Sequence, residues 1–405
     1  MRQIPERNRK GQQFISCFVF DDWLYQGLFS GGALVIRENL STGTAQFVNL
    51  PNSYIEPRWS GCSTMIEDDG ILYLIDNGMS IIFAYDPAAD TYETIELGGR
   101  RFIESQQSYS WVSCYDHQIF IFPAFDNVLY LYDISTKRVK KIKLPLAWQP
   151  AQEGEGAEEP VPLIEAACQD EKTVVLFSGR RRCFLTYDLA TRSVRQWPLP
   201  FEVPEDDFIV DSRYHQGKYY VATSRGVVYV LHIDREKKQA DAQRLLAVGA
   251  ERNTFERILA TDRNLWLLPD QGHEILVFDF QTGQMVPYQD YPADFAYEAY
   301  WPGQSKFYMG CRDGERYIFS MCASNYILSI GLTTGKAAWR KPARPDTKEL
   351  QRMLQKSMKQ GIVLQEGSVS TLESFITAVP KETAEIAERK KNENMRTWAR
   401  MVADL

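Results

Sequence analysis

The sequence predicts an all-β protein, a seven-bladed β-propeller of four-stranded antiparallel blades, followed by a C-terminal α-helical extension. The first observation is a recurring hairpin corner, which returns about every 45 to 55 residues, the length of one four-stranded blade. The second is that β-rich runs flank the corners in the same order along the chain. The corners are Tyr85-Asp86, Tyr132-Asp133, Tyr187-Asp188, Ile233-Asp234 and Phe278-Asp279, with degenerate copies at Glu38-Asn39 and Ile330-Gly331.

The third repeat illustrates how such a corner turns the chain. An apolar run ends at Asp133, Ser135 and Thr136 follow, and a second β-rich run comes next. An aspartate side chain can bond backbone amides about two residues on, while serine and threonine tolerate the tight geometry. Each corner therefore indicates a hairpin. Glycine in place of aspartate at position 331 should weaken the seventh corner.

The same order of runs assigns strands to all seven blades. The propeller is thereby placed at residues 14–342 and the helical extension at residues 343–405. Because whole blades are counted from first to last, closing the ring need not depend on a strand exchanged between the termini. The runs are 14–20, 23–29, 33–38 and 44–50 for blade 1; 71–75, 81–85 and 91–97 for blade 2; 111–115, 119–122, 128–132 and 139–144 for blade 3; 164–168, 173–177, 183–187 and 194–199 for blade 4; 208–212, 218–223 and 227–233 for blade 5; 257–261, 265–268, 275–278 and 284–288 for blade 6; and 307–311, 316–322, 326–330 and 336–339 for blade 7.

Two insertions interrupt the repeats. The segment 149–162 has four glutamates, three prolines and no hydrophobic period, so it is interpreted as an acidic loop between blades 3 and 4. The segment 290–305 is rich in aromatic residues and is interpreted as an ordered lid over one propeller face. Its aromatic residues are Tyr291, Phe295, Tyr297, Tyr300 and Trp301.

After Pro345 the hydrophobic period changes to that of a helix, with Asp346 or Thr347 as the cap. From Lys336 to Lys359, eight lysines and arginines are opposed only by Asp346 and Glu349, a local charge of +6 in a chain whose net charge is −7. A solvated helix face is the commoner explanation for such a segment. Contact of the basic helix 346–360 with an acidic protein partner comes next, and contact with an anionic membrane comes last.

Composition limits the class of protein. The chain has 405 residues, and its 21 tyrosines, 21 phenylalanines and 9 tryptophans provide ample material for packing between sheets. Seven cysteines without close-spaced pairs do not make a disulfide framework, and the first residues lack the apolar stretch of a signal peptide. No run approaches the ~18 apolar residues of a membrane span. We therefore expect a cytoplasmic protein that does not bind a membrane.

The cysteines near the starts of the blades are interpreted as small core residues, because innermost strands crowd around the axis. They are Cys17, Cys62, Cys114 and Cys168. A metal-thiolate ring is the alternative, but zinc ligands usually come from short C-x-x-C loops, and no metal is expected here. No P-loop, dinucleotide-binding glycine pattern, G-x-S-x-G or H-E-x-x-H motif is present, so no cofactor is expected. The lysines around 137–143 suit edge protection, and no nucleic-acid binding is expected.

In a propeller, the links between blades and the turns between second and third strands emerge on one face, where a ligand site is expected. Arginine forks suit carboxylates and phosphates, and aromatic rings stack on sugars. These residue types predict an anionic or glycan-like ligand, with solvated turns as the alternative interpretation. The predicted ligand-binding residues are Arg58, Trp59, Tyr109, Trp111, Arg182, Arg225 and Arg257.

Four carboxylates in the inter-blade links provide an enzymatic alternative. Two acids held about 5 to 9 Å apart near the axis could act as acid and base on a glycosidic bond, in a glycoside hydrolase or lyase. No spacing in the sequence fixes their separation. The candidates are Glu165, Asp207, Glu256 and Glu298.

The aromatic-Asp-x-x-Thr corners, as in Tyr132-Asp133-Ile134-Ser135-Thr136 and Phe278-Asp279-Phe280-Gln281-Thr282, together with the blade length, resemble the kelch and galactose-oxidase-like propeller superfamily over roughly residues 14 to 342. The kelch double glycine is missing from most blades, since Gly98-Gly99 falls elsewhere in its blade. No counterpart of the oxidases' copper-ligand pattern aligns. The resemblance implies fold and recognition, so the expected function is a non-catalytic scaffold that binds a protein or a ligand.

Overall fold

In the computed structural model, the described residues are 12–28, 34–51, 58–99, 107–147, 161–248, 255–269, 274–297, 306–343, 345–346, 348–349 and 352. Within these residues the chain forms 28 strands, β1 to β28 in chain order. The strands are β1 Gln12–Phe20, β2 Trp23–Leu28, β3 Val35–Asn39 and β4 Ala45–Phe47 in blade 1; β5 Cys62–Asp68, β6 Ile71–Asp76, β7 Ile81–Asp86 and β8 Thr91–Glu96 in blade 2; β9 Tyr109–Tyr115, β10 Gln118–Pro123, β11 Val128–Asp133 and β12 Arg138–Lys143 in blade 3; β13 Ala166–Gln169, β14 Thr173–Ser178, β15 Cys183–Asp188 and β16 Val194–Pro198 in blade 4; β17 Ile209–His215, β18 Lys218–Thr223, β19 Val227–Asp234 and β20 Gln239–Ala247 in blade 5; β21 Phe255–Ala260, β22 Asn264–Pro269, β23 Leu276–Asp279 and β24 Met285–Pro287 in blade 6; and β25 Phe307–Asp313, β26 Arg316–Ser324, β27 Ile327–Gly331 and β28 Ala337–Arg340 in blade 7.

The predicted seven-bladed propeller of four-stranded antiparallel sheets is confirmed. Each blade is made of four consecutive strands paired in order, so no strand is exchanged between blades to close the ring. The beginning of β1 additionally pairs with β26, through Gln12 opposite Ser324 and Gln13 opposite Cys322. Blade 1 and blade 7 are therefore joined both by packing and by backbone pairing.

The hairpin corners form as the sequence predicts, between the third and fourth strands of the blades. The Asp133 carboxylate accepts hydrogen bonds from the Thr136 amide at 2.8 Å and from the Thr136 hydroxyl at 2.7 Å. Asp188 accepts the same two bonds from Thr191, and the side chains of Asn39, Asp86, Asp234 and Asp279 likewise accept backbone amides two or three residues on. Side-chain bonding to the local backbone explains why this residue type repeats.

Hydrophobic cores lie between neighbouring blades. Phe120 and Leu131 of blade 3, for example, share one buried cluster with Leu176 and Leu185 of blade 4. Equivalent clusters join each of the remaining six pairs of neighbouring blades. The pair formed by blades 7 and 1 is joined through Cys17 and other residues. Each blade thus buries both faces of its sheet, which explains the abundance of aromatic residues.

Two strands were missing from the sequence-based assignment. The first strand of blade 2, β5, and the fourth strand of blade 5, β20, are present in the structure. Strand β20 reads Gln-Ala-Asp-Ala-Gln-Arg-Leu-Leu-Ala and is mostly exposed or half-buried, because it is an outer edge strand. Its mostly polar sequence lacks the apolar run that identifies most inner strands.

The aromatic segment after blade 6 does not form the expected lid in its described part, residues 290–297. Tyr291 and Phe295 pack instead against Trp339, with ring centroids 5.6 and 5.1 Å apart, and extend the core between the outer strands of blades 6 and 7. Both side chains are half-buried there, so packing against Trp339 removes part of their ring area from water. Tyr300 and Trp301 lie outside the described residues, as does most of the predicted acidic loop 149–162.

The helical extension lies almost entirely outside the described residues, but its start is visible. Lys348, Glu349 and Arg352 are helical, and Asp346 accepts the Glu349 amide at 2.8 Å, which is the cap that the sequence predicts. The Glu349 carboxylate accepts the Phe47 amide at 2.9 Å, and Arg352 donates to the Phe47 carbonyl at 3.1 Å. This first turn therefore covers part of the free edge of β4.

Candidate functional site

A cavity of about 360 Å³ lies on the propeller axis. The first strand of every blade contributes to its wall, because the innermost strands converge on the axis. Asn77, Ala124 and Phe125 line it from the turns between second and third strands, so the cavity lies at the face predicted from the topology. We call this face the upper face, defined by those turns and by the links between blades.

Polar side chains of blades 2 and 3 form one part of the wall. The Ser63 hydroxyl donates to the Asn77 side-chain oxygen at 2.8 Å and lies 3.2 Å from the Tyr109 hydroxyl. Gln107 donates to the Tyr109 carbonyl at 2.7 Å. Burial raises the pKa of Tyr109, so its hydroxyl remains protonated in the physiological range. This wall presents neutral amide and hydroxyl groups to a ligand.

Trp111 lies beside this polar wall. Its indole NH donates to the side-chain oxygen of Gln169 at 3.1 Å, which fixes the orientation of the ring. The ring is half-buried and lines the cavity together with Phe125. A fixed aromatic plane of this kind can stack on a sugar ring or a planar group.

Arg257 and Glu256 line the opposite side of the cavity, from strand β21 of blade 6. The ion pair between the Arg257 guanidinium and the Glu256 carboxylate is long, at 3.5 Å. One guanidinium NH donates to the Glu256 carbonyl at 3.1 Å, while the buried Arg257 Nε has no acceptor among the described residues. The side chain is 18% exposed, so this arginine is largely withdrawn from water without full compensation by protein partners.

Arg213 forms the inner end of the cavity and joins three blades. It leaves strand β17 of blade 5, donates to the Ile258 carbonyl of blade 6 at 3.1 Å, and reaches the Tyr317 hydroxyl of blade 7 at 3.3 Å. Its Nε lies 3.2 Å from the Asp211 carboxylate. Burial opposes the charged form, but Asp211 and the other neighbours outweigh that effect and the pKa of Arg213 is raised. Gly310 permits this contact, because a Cβ there would lie 2.3 Å from the Tyr317 ring.

Glu165 lines the cavity but is held by backbone groups. One carboxylate oxygen accepts the Ile209 amide at 2.8 Å and the other accepts the Arg180 amide at 3.0 Å. Burial raises the pKa of Glu165, while those two hydrogen bonds act in the opposite direction. The Glu165 carboxylate therefore connects the start of β17 in blade 5 to the turn after β14 in blade 4.

The structure brings Tyr109, Trp111, Glu165, Glu256 and Arg257 together in the cavity. The other predicted residues that the structure describes do not line it. Arg58 and Arg225 are exposed and form ion pairs with Glu96 and Asp206, respectively. Trp59 is 1% exposed and packs in the core between blades 1 and 2, 4.8 Å from the Phe83 ring. Arg182 is exposed in the turn after β14 and does not line the cavity, and Glu298 lies outside the described residues.

Asp207 is buried and hydrogen-bonded to protein groups, so it is not available to a ligand in the cavity. Its carboxylate is 3% exposed and accepts the Ser224 hydroxyl at 2.6 Å and the Phe208 amide at 2.9 Å. Asp76 of blade 2 holds the corresponding link and turn, with bonds to Ser60 and Ser80. Each of these two carboxylates accepts hydrogen bonds from the link before its blade and from the turn between the second and third strands of that blade.

A smaller cleft of about 160 Å³ adjoins the cavity on the upper face. Phe125 and Pro162 line both, so the two spaces are neighbours. The rest of the wall of this cleft is made of Val161, Leu163, Ser178, Arg180 and Arg181.

The two histidines in turns between first and second strands lie at the opposite face. His117 contacts the Asp68 carboxylate of blade 2 at 2.8 Å, and His215 contacts that of Asp262 in blade 6 at 2.9 Å. The hydrogen bond with Asp68 raises the pKa of His117. Asp68, Asp69 and His117 hold possible metal-ligand atoms within 4.8 Å of one another, but this exposed group is accounted for by the imidazole–carboxylate contacts.

Sequence analysis missed Asp211, Arg213 and Ser63. Asp211 and Arg213 alternate along β17, so both side chains point to one side of an innermost strand. An aspartate and an arginine two positions apart on an inner strand are the sequence signal that could have identified the inner end of the cavity. Ser63 was missed because its strand, β5, was not assigned.

No protein-family model matches the chain, and no curated protein sequence matches it. Among solved structures, the chain is similar to PorZ, an essential bacterial surface component of the type-IX secretion system of Porphyromonas gingivalis, with a TM-score of 0.50, 10% identity, and coverage of 83% of this chain and 38% of that chain. It is also similar to the β-propeller domain of Cps50 (Swd1) from Myceliophteria thermophila, with a TM-score of 0.50, 12% identity, and coverage of 82% of this chain and 97% of that chain.

The chain spans about two fifths of the length of the PorZ chain that it matches. At these identities the likeness shows the propeller fold alone. The narrower resemblance to the kelch and galactose-oxidase-like superfamily stays a prediction, because no family model supports it. Among the described residues, no helix is long and apolar enough to cross a membrane.

Proposed function

We propose that the protein is a non-catalytic recognition propeller whose axial cavity binds a small anionic, glycan-like ligand. The proposal rests mainly on the incomplete pairing of the Arg257 guanidinium. Its side chain lines the cavity, its pair with Glu256 is long at 3.5 Å, and its buried Nε has no acceptor among the described residues. A ligand carboxylate would supply the missing acceptor and would match the planar fork of a guanidinium.

The remaining lining favours a sugar-like body for this ligand. Ser63, Asn77 and Gln107 offer neutral donors and acceptors for hydroxyl groups, and Trp111 offers a fixed aromatic plane. A volume of about 360 Å³ is in the range of small-molecule sites. A sugar acid combines the hydroxyls, the ring face and the carboxylate that these residues select.

Calorimetric titration with D-glucuronate and D-glucose tests the proposal, since the two sugars differ in the carboxylate. We expect glucuronate to bind more tightly, and Arg257→Gln to weaken glucuronate binding by about tenfold or more, because hydrogen bonds to charged groups contribute about 1.5 to 3 kcal/mol. Binding of glucose should change little in this variant.

Arg225→Gln is the matched control, because Arg225 lies on the upper face but pairs with Asp206 outside the cavity. It removes the same charge and should leave glucuronate binding unchanged. Equal losses in both variants would indicate general electrostatic attraction. Absence of binding by either sugar would refute the proposed ligand class.

A carbohydrate-active enzyme is the second candidate, and one observation favours it. Glu165 and Glu256 line the same cavity, and burial raises the pKa of Glu165, as a general acid requires. Both Glu165 oxygens, however, already accept backbone amides. Turnover of aryl glycosides that is abolished by both Glu165→Gln and Glu256→Gln would support the enzyme instead of the recognition protein.

The proposal includes a cytoplasmic location and a protein partner that contacts the basic segment 346–360. Of that segment, Glu349 and Arg352 bind the protein's own Phe47, so the partner would contact the lysines beyond them in sequence. No cofactor is assigned to this function.

A further inference from the structure

The cleft beside the axial cavity has the features of a separate anion-binding subsite. Phe125 and Pro162 line both the cleft and the cavity, so the two spaces are neighbours on the upper face. The cleft has a volume of about 160 Å³, which suits a compact group at the end of a larger ligand.

Two arginines supply its charge. Arg180 and Arg181 line the cleft, both are exposed, and their guanidinium groups form no ion pair or hydrogen bond with the described residues. Elsewhere on the upper face, by contrast, Arg58 and Arg225 are neutralised by Glu96 and Asp206. Within the part of the chain that the structure describes, the guanidinium groups of Arg180 and Arg181 can therefore pair with a ligand anion.

Glu165 of the cavity wall attracts Arg180 electrostatically but forms no direct ion pair with its guanidinium. The Glu165 carboxylate accepts the backbone amide of Arg180 rather than its guanidinium, and its other oxygen accepts the Ile209 amide. The arginine side chains thus extend from a turn whose backbone is fixed, which reduces the entropy lost when they bind an anion.

A buried hydroxyl completes the cleft. Ser178, the last residue of β14, is 2% exposed and lines the cleft, and its Oγ has no hydrogen-bond partner among the described residues. An unpartnered buried hydroxyl is costly unless a ligand or water satisfies it. It borders the same cleft as the two arginines, where its hydroxyl can serve as a donor for an oxyanion.

We propose that this cleft binds the phosphate group of a phosphorylated sugar whose sugar ring lies in the axial cavity. Two guanidinium groups and a hydroxyl match the charge and the several acceptor oxygens of a phosphate monoester. The position of the sugar rests on the proposed function, whereas the phosphate subsite depends on the cleft alone.

Calorimetric titration of the full chain with glucose 6-phosphate, D-glucose and inorganic phosphate tests the subsite. Glucose 6-phosphate should bind more tightly than glucose. Arg181→Gln should weaken its binding by about tenfold or more, with a smaller loss for Ser178→Ala, because charged hydrogen bonds are stronger than neutral ones. Raising the salt concentration should weaken phosphate binding in the unaltered protein and have less effect in Arg181→Gln.

Arg182→Gln is the matched control. It removes the same charge one residue further along the same turn, but Arg182 does not line the cleft. An equal loss in Arg181→Gln and Arg182→Gln would overturn the subsite, as would equal binding of glucose and glucose 6-phosphate. Inorganic phosphate that binds independently of Arg181 would mark an adventitious ion only.

The two proposals can fail separately. If glucuronate does not bind but phosphate binding depends on Arg181 and not on Arg257, the subsite stands and the proposed ligand of the cavity is wrong. If glucuronate binds through Arg257 and glucose 6-phosphate binds no better than glucose, the cavity function stands and the subsite is wrong.

Discussion

Thr334 occupies the same place in the seventh corner as Thr136 and Thr191 occupy in theirs, three residues after the end of the third strand. In those two corners the threonine donates to an aspartate, at 2.7 and 2.9 Å, respectively. The backbone is also equivalent, since Gly335 donates to the Gly331 carbonyl at 2.8 Å, as Arg192 does to Asp188. The seventh corner thus has the backbone and the donor for a side chain that glycine lacks.

Gly331→Asp should therefore stabilise the protein. The new carboxylate can accept the Thr334 amide and hydroxyl after a small rotation of Thr334, whose Oγ1 would lie 2.4 Å from the added Cβ. Replacing glycine in a compatible conformation also restricts the unfolded chain, for a combined gain of about 0.5 to 1 kcal/mol. Calorimetric unfolding would measure the gain. Gly331→Ala is the control and should give the smaller, entropic part; a lower stability for Gly331→Asp than for Gly331→Ala would contradict this account.

At the scale of the element, the aspartates of the hairpin corners should make the folded protein less stable as the pH falls into the acid range. The pKa values of Asp133, Asp188, Asp234 and Asp279 are lowered, because the residue three positions on donates a hydrogen bond to each carboxylate. A lowered pKa in the folded state contributes stability above the unfolded value of about 3.9, and this stability is lost as pH falls through the folded value.

We expect the unfolding temperature to fall between about pH 5 and pH 2, and the fall to be shallower in Asp133→Asn. An asparagine side chain can accept the same backbone hydrogen bond, as Asn39 does from Thr42 at 2.8 Å. Near neutral pH the variant should thus remain close to the unaltered protein. Parallel pH curves for the two proteins would show that this corner does not contribute to the acid dependence.

The strands and corners differ in how well the sequence predicted them. The corners and most inner strands were predictable because their hydrogen bonds and apolar runs are local in sequence. The innermost strand of blade 2, β5, was the exception, because its sequence Cys-Ser-Thr-Met-Ile-Glu-Asp has no apolar run. Strand β20 was missed because its hydrogen-bond partner and exposure, rather than its own composition, determine its structure. Trp59 carried no local signal that it would be buried against Phe83, and Arg213 none that it would reach Tyr317, since both contacts join distant parts of the chain.

At the scale of the whole molecule, Arg213 links blades 5, 6 and 7 at the inner end of the cavity. Arg213→Met should destabilise the protein by about 3 to 5 kcal/mol, because Asp211, which is 7% exposed, would lose its facing cation. Chemical denaturation would measure the loss.

The double variant Arg213→Met/Asp211→Asn is the control for this prediction. It removes the stranded charge, so it should recover part of the stability lost in the single variant. If the double variant is as unstable as Arg213→Met, then the bonds of Arg213 to Ile258 and Tyr317, rather than its pairing with Asp211, account for the effect.

The assembly of every blade from four consecutive strands has a consequence for how the chain can be rearranged. Joining the two ends of the propeller and cutting the chain at another inter-blade link would create a circular permutant in which all seven sheets keep their strand order. The order in which blades are synthesised would change, while the inter-blade cores would be the same. A duplicated or deleted blade would likewise add or remove a complete sheet, so the ring is divisible into units that evolution or engineering can exchange whole.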